Sequence, residues 1–178
     1  MTVPVCIEFL EQNPDVEIIF ISREHFRDLF DGHPRLIFKG ISFDDYKGIF
    51  GIRKLTRQLI KDFKPDYVAD LHDVIRTKMV NSIFKRHRYS VYKINKGKAE
   101  KEKLTNIWDL DKKPLKRTVE RYADVFRKMG FSLELSHQYR SSVADKKGIG
   151  FAPFAQHKGK MMPLEKSYEL ARLLAKTH

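Results

Sequence analysis

Val16-Glu17-Ile18-Ile19-Phe20-Ile21-Ser22 is the stretch on which the fold turns. It is apolar almost throughout and rich in β-branched residues, the pattern of a strand covered on both faces, and such strands belong to parallel sheets. Upstream, Thr2 and Pro4 suit a helix start. Val5, Ile7, Phe9 and Leu10 follow before Asn13-Pro14, so a helix begins almost at residue 1. Downstream, His25 to Phe30 reads as a short helix and Arg35 to Lys39 as a second strand. Gly48 to Phe63 reads as a helix with Ile49, Ile52, Leu55, Leu59 and Ile60 on one stripe, ended by Pro65. Tyr67 to Leu71 is a third buried strand, Val74 to Phe84 a helix and Tyr89 to Ile94 a fourth strand. Strands alternating with helices predict an α/β fold with a doubly wound parallel sheet and right-handed crossovers.

Beyond this run, Lys93 to Lys103 is too charged for a core and reads as a solvated loop or an exposed helix. Pro114 to Met129 is amphipathic, with Leu115, Val119, Tyr122, Ala123 and Phe126 as its stripe and Gly130 as its stop. Ser136 to Lys147 turns polar, Gly148 to Ala152 reads as a new strand and Pro163 to Ala175 as a new helix. The expected organisation is therefore a sheet domain over 1–135, a linker over 136–147 and the start of a second domain over 148–178. In a doubly wound sheet the ligand-binding turn follows the first strand, yet here a helix comes first, so the first strand is expected to be missing.

The chain has 178 residues, enough for one sizeable core, and its 42% hydrophobic content argues against disorder. Lys and Arg number 35 against 23 Asp and Glu, a net charge of +12 that attracts phosphates, carboxylates, nucleic acid or anionic headgroups. The single cysteine, Cys6, excludes an internal disulfide and reads as a buried apolar residue of a reducing compartment. No stretch is long and apolar enough for a spanning helix, nor is there a signal peptide, so the expected location is cytoplasmic, against the inner face of the membrane.

Polar groups gather where the third strand ends, in Asp70-Leu71-His72-Asp73-Val74-Ile75-Arg76-Thr77. Open α/β sheets bind ligands at the carboxyl ends of their strands. Asp73 is placed to cap the next helix, and Arg76 in its first turn opposes the helix dipole unless an anion binds nearby. The plainer alternative is a cap beside a solvated arginine. Gln156-His157-Lys158-Gly159-Lys160 lies before the last helix, where backbone N–H groups and Lys160 can hold a phosphate, although the spacing is not that of a Walker loop and a simple basic turn explains it as well. The seven histidines are scattered, so no metal is expected. Ser141-Ser142 lacks a nucleophile-elbow context, and Trp108 reads as a packing anchor more than a sugar platform.

In order and spacing, several of these segments resemble the ADP-heptose lipopolysaccharide heptosyltransferases, the family-nine glycosyltransferases of two-domain, Rossmann-like GT-B architecture. Met1-Thr2-Val3-Pro4 looks like the end of the family's G-D-x-x-x-T-x-P turn. Tyr67 to Thr77 is similar to its D-x-Q-G-x-x-[RK]-[ST] segment, with His72 and Asp73 for Gln and Gly. Thr118-Val119-Glu120-Arg121-Tyr122 resembles H-x-V-E-R-Y, and Gly150 to Pro163 resembles P-G-A followed by K-x-W-P, with Phe154 for Gly and Met162 for Trp. The resemblance implies transfer of a heptose from a nucleotide-diphospho-sugar, ADP-heptose, to an anionic Kdo-containing or phosphorylated lipid A core acceptor at the inner membrane surface. It implies donor contacts at Lys160, Gln156 and Ala155 and acceptor contacts at Arg76, His72, Lys96 and Lys98. The family's general-base Asp would precede Met1, so no catalytic residue is assigned and the chain alone is expected to be inactive. Open strand edges beside a missing strand further predict a dimer. Nucleic acid is not an expected partner, because no RRM, KH or helix-turn-helix signature accompanies the charge, and a dinucleotide enzyme is excluded for want of G-x-G-x-x-G. A basic α/β nucleic-acid-binding module without catalysis is nonetheless the alternative to an enzyme.

Overall fold

A computed structural model describes residues 2–30, 32–42, 44–106, 108, 112–138 and 149–177. The chain divides into two compact units, Met1–His137 and Gln138–His178.

In the first unit, α1 (Thr2–Gln12) precedes β1 (Ile18–Arg23), a 3-10 turn (Glu24–Leu29) and β2 (Leu36–Ile41). Next come α2 (Gly48–Phe63), β3 (Tyr67–Asp70), α3 (Ile75–Arg86), β4 (Ser90–Lys93), α4 (Lys98–Thr105) and α5 (Thr118–Lys128). The fold is mixed α/β, and all the strand pairing among the described residues is parallel. β1 pairs with β2 from Ile18 opposite Leu36 to Arg23 opposite Ile41, and β3 with β4 from Tyr67 opposite Ser90 to Asp70 opposite Lys93. These are two separate two-stranded sheets, where the apolar runs led us to expect one.

Two apolar clusters hold the unit together. Val5, Cys6, Phe9 and Leu10 of α1 meet Ala123 and Phe126 of α5, with Ile18 and Phe20 of β1 and Leu36 of β2 against them. Phe9 stacks on Phe126 at 4.3 Å and meets Phe131 edge-on at 5.3 Å. Leu55 and Leu59 of α2 and Phe84 of α3 form the second cluster with Val68 of β3, Val91 of β4 and Ile41 of β2. Side chains alternate along a strand, so Val68 faces α2 and α3 while Tyr67 turns the other way, to Phe131 at 5.6 Å. Burial of α1 pushes the Cys6 thiol up to about 12, because a thiolate there would lose its water.

The strands are less covered than the sequence predicts. Ile21, Ile37 and Tyr67 are exposed, since each strand is paired on one side only and a two-stranded sheet offers little surface for helices to close over. Other boundaries shift for local reasons. β1 begins at Ile18, where pairing with β2 begins, and α5 begins at Thr118, since Lys112 to Lys116 form no regular element and Arg117 before the helix is extended. The charged segment after β4 becomes the exposed helix α4. Trp108, read as a packing anchor, is 84% exposed; Ile107 and Asp109 lie outside the described residues.

In the second unit, a 3-10 turn (Lys158–Lys160) precedes α6 (Leu164–Thr177). Of the strand expected over Gly148 to Ala152, the described residues Ile149 to Ala152 form none. Residues 149–155 are irregular, since a strand needs a neighbour to accept its hydrogen bonds and the described part of this unit contains no other strand. Gly148, Ser141, Ser142 and most of the polar stretch 136–147 lie outside the described residues, as do Met1 and His178.

Candidate functional site

Where β3 ends, its last residue organises the turn that follows. Asp70 is 5% exposed. Its Oδ1 accepts the backbone N–H groups of His72 at 2.9 Å and Asp73 at 2.8 Å, and its Oδ2 accepts the Asn81 amide of α3 at 2.6 Å. Burial pushes the carboxyl's pKa up, but the donors from Asp73, His72, Thr77 and Asn81 outweigh it and hold it below the ordinary value. An ionised Asp70 therefore ties the strand, the turn and the next helix together.

The turn presents Asp73 in an unusual state. Its φ is +43°, in the left-handed region that costs an ordinary residue about 1 kcal/mol or more. Its Oδ1 is buried with no hydrogen-bond partner among the described residues. The expected cap does not form: the helix is capped at Val74, whose N–H donates to Thr77 Oγ1 at 2.9 Å, leaving the Asp73 carboxylate out of the capping scheme. The Asp73 carbonyl accepts from Lys96 Nζ at 3.1 Å.

Lys96 is itself held from behind. Arg121 of α5, only 6% exposed, donates to the carbonyls of Asn95 and Lys116 at 3.2 Å each and forms an ion pair with Glu100 of α4. Gly97, with φ +64°, lies so close that a Cβ there would meet the guanidinium at 2.5 Å. The loop carrying Lys96 and Lys98 is thus pinned by a buried cation.

Of the acceptor-side candidates, the structure brings His72, Arg76 and Lys96 to the carboxyl end of β3. His72 and Arg76 are exposed, and Lys96 is half-buried. Lys98 is the exposed first residue of α4, one turn from the Arg121 anchor. The sequence missed Asp70, Asn81, Arg121 and Gly97 as the supports of this turn. Asp70 left a trace as the first of the polar residues after the third strand and Arg121 as part of Thr118 to Tyr122, but neither carried a sign of this supporting role. The donor-side candidates belong to the second unit, where Ala155 is half-buried and Gln156 and Lys160 are exposed before α6. The Lys160 backbone N–H donates to the His157 carbonyl at 2.9 Å, closing the basic turn on itself.

Among the described residues no three His, Cys, Asp or Glu side chains cluster as metal ligands. Chemically, the turn combines cations suited to an anion with a carboxylate oxygen still in need of a donor, such as a hydroxyl. In comparisons with protein-family models, curated proteins and solved structures, nothing matches this chain.

Proposed function

We propose that this chain is the acceptor-side part of a heptosyltransferase-like glycosyltransferase of GT-B type. In that reading the two parallel sheets are halves of one doubly wound, Rossmann-like sheet, with α1 and α5 on one face and α2 and α3 on the other. The donor is a nucleotide-diphospho-sugar, ADP-heptose, whose phosphates meet Lys160 and its neighbours Gln156 and Ala155. The acceptor is an anionic, Kdo-containing or phosphorylated lipid A core at the inner membrane surface, bound by Arg76, His72, Lys96 and Lys98, and no metal takes part.

The observation that carries the reading is the buried Asp73 oxygen without a donor, held at a strand's carboxyl end beside Arg76 and Lys96. A phosphorylated or acidic sugar supplies both halves of the match, an anion for the cations and a hydroxyl for the carboxylate, once the Asp73 side chain turns outward. A strained, unsatisfied residue at such a place is the kind of cost kept for binding.

Titration of the chain with a soluble phosphorylated Kdo-containing core oligosaccharide, followed by NMR, is expected to perturb residues 70–77 and 95–98. Arg76→Ala should weaken binding about tenfold, the scale of one charge-assisted contact. Asp73→Gly should raise stability by about 1 kcal/mol, relieving the left-handed strain and the unpaired oxygen, while weakening the sugar complex. Binding that ignores both changes, or oligonucleotides binding in preference to the sugar, would overturn the proposal.

A further inference from the structure

We infer that the groove between α2 and α3 is a docking surface for an anionic lipid bilayer. The two helices close over β3 and β4 through Leu55, Leu59 and Phe84, and that cluster is complete without the residues at their amino-terminal ends. Those ends nevertheless carry large apolar side chains in water. Ile49 is 66% exposed, Phe50 85% and Ile75 80%. Between the helices runs an open groove of about 420 Å³, lined by Ile49, Ile75 and Ile83 together with Arg53, Lys78 and Arg86.

Scattered single apolar residues are ordinary on a protein surface, whereas several together beside a groove mark a contact surface. Charge identifies the occupant. α2 carries Arg53, Lys54, Arg57 and Lys61 against Asp62 alone, and α3 carries Arg76, Lys78, Lys85 and Arg86 with no acidic residue. A second basic protein surface would be repelled. Nucleic acid would meet the cations and leave Ile49 and Ile75 in water. A bilayer with acidic headgroups satisfies both, since its phosphates take the cations while the apolar side chains enter the acyl boundary. Among the described residues no helix is long and apolar enough to cross a membrane, and the contact we infer is with the bilayer surface.

Ile75 and Arg76 are neighbours at the start of α3, so this face adjoins the carboxyl end of β3. A lipid-linked acceptor would arrive beside that turn, a consequence that rests on the proposed function; the docking itself does not.

The test is cosedimentation of the full chain with phosphatidylcholine vesicles, with and without phosphatidylglycerol, which carry no sugar acceptor. Binding is expected only with phosphatidylglycerol. Each removed cation should weaken partitioning about fivefold, so Arg53→Gln with Lys78→Gln should lose about 25-fold. The same charge removed from α4 by Lys101→Gln with Lys103→Gln should cost far less. Phe50→Ser with Ile75→Ser should also release the protein, and because all these side chains are exposed, circular dichroism should show the fold retained. Equal losses from the α4 pair would reduce the effect to net charge and overturn the proposal. So would vesicle binding unchanged by the groove variants while they abolish oligonucleotide binding, or while Phe50→Ser with Ile75→Ser dissociates a dimer seen by light scattering. Failure of sugar binding in the NMR titration, with vesicle binding intact, would leave the docking surface standing.

Discussion

Asp70 shows how much one ionised side chain does in this molecule. Its carboxylate gathers two backbone N–H groups and the Asn81 amide, and so fixes the direction in which His72 and Asp73 leave β3. Its pKa is lowered on folding. The stabilisation is therefore complete above the ordinary carboxylate value, about 4, and is lost as pH falls through the still lower folded value. Asp70→Asn should cost about 2 kcal/mol at neutral pH, because the amide that replaces one oxygen turns a donor toward Asn81 or the turn. In denaturant titrations the gap between variant and parent should narrow below about pH 4; a gap constant from pH 7 to pH 2 would contradict the charged arrangement.

Among the elements, α5 does more than cover a sheet. Its apolar side supplies Ala123 and Phe126 to the core, and from the same helix Arg121 reaches the loop after β4. Gly97 exists at the one place where that approach leaves no room for a side chain and where φ is positive. Gly97→Ala should therefore cost about 2 kcal/mol or more, from left-handed strain and displacement of a buried cation, and should loosen α4. Faster hydrogen exchange across Lys98–Thr105 would report it. Unchanged exchange would mean that α4 is held by something other than Arg121.

At the scale of the whole molecule, the open question is the strand edges. The Ile18 N–H bonds to the Arg35 carbonyl, so alternate residues place the backbone groups of Ile19 and Ile21 on the side away from β2. The Ile94 N–H bonds to the Asp70 carbonyl, which by the same alternation turns Tyr67 and Ala69 away from β4. Both edges are apolar and lack the lysines and prolines that usually blunt an edge. The chain should consequently self-associate as its concentration rises, and Ile21→Lys should shift it toward monomer. Light scattering that finds a monomer at every concentration would refute this.

The sequence by itself determined the order of helices and parallel strands and the charge of the surface, because both follow from local pattern: β-branched runs such as Val16 to Ser22, the stripe Ile52, Leu55 and Leu59, and the excess of lysine and arginine. The address of the candidate site was legible for the same reason, as polar residues directly after a short apolar run. Only the tertiary structure decided that the strands pair as two separate sheets, that Ile149 to Ala152 form no strand, that Asp73 leaves the capping scheme with an oxygen unpaired among the described residues, and that Arg121 supports Lys96 from another helix. Each of these depends on which groups remain to satisfy a hydrogen bond or fill a space after distant segments meet, and a linear pattern carries no record of that.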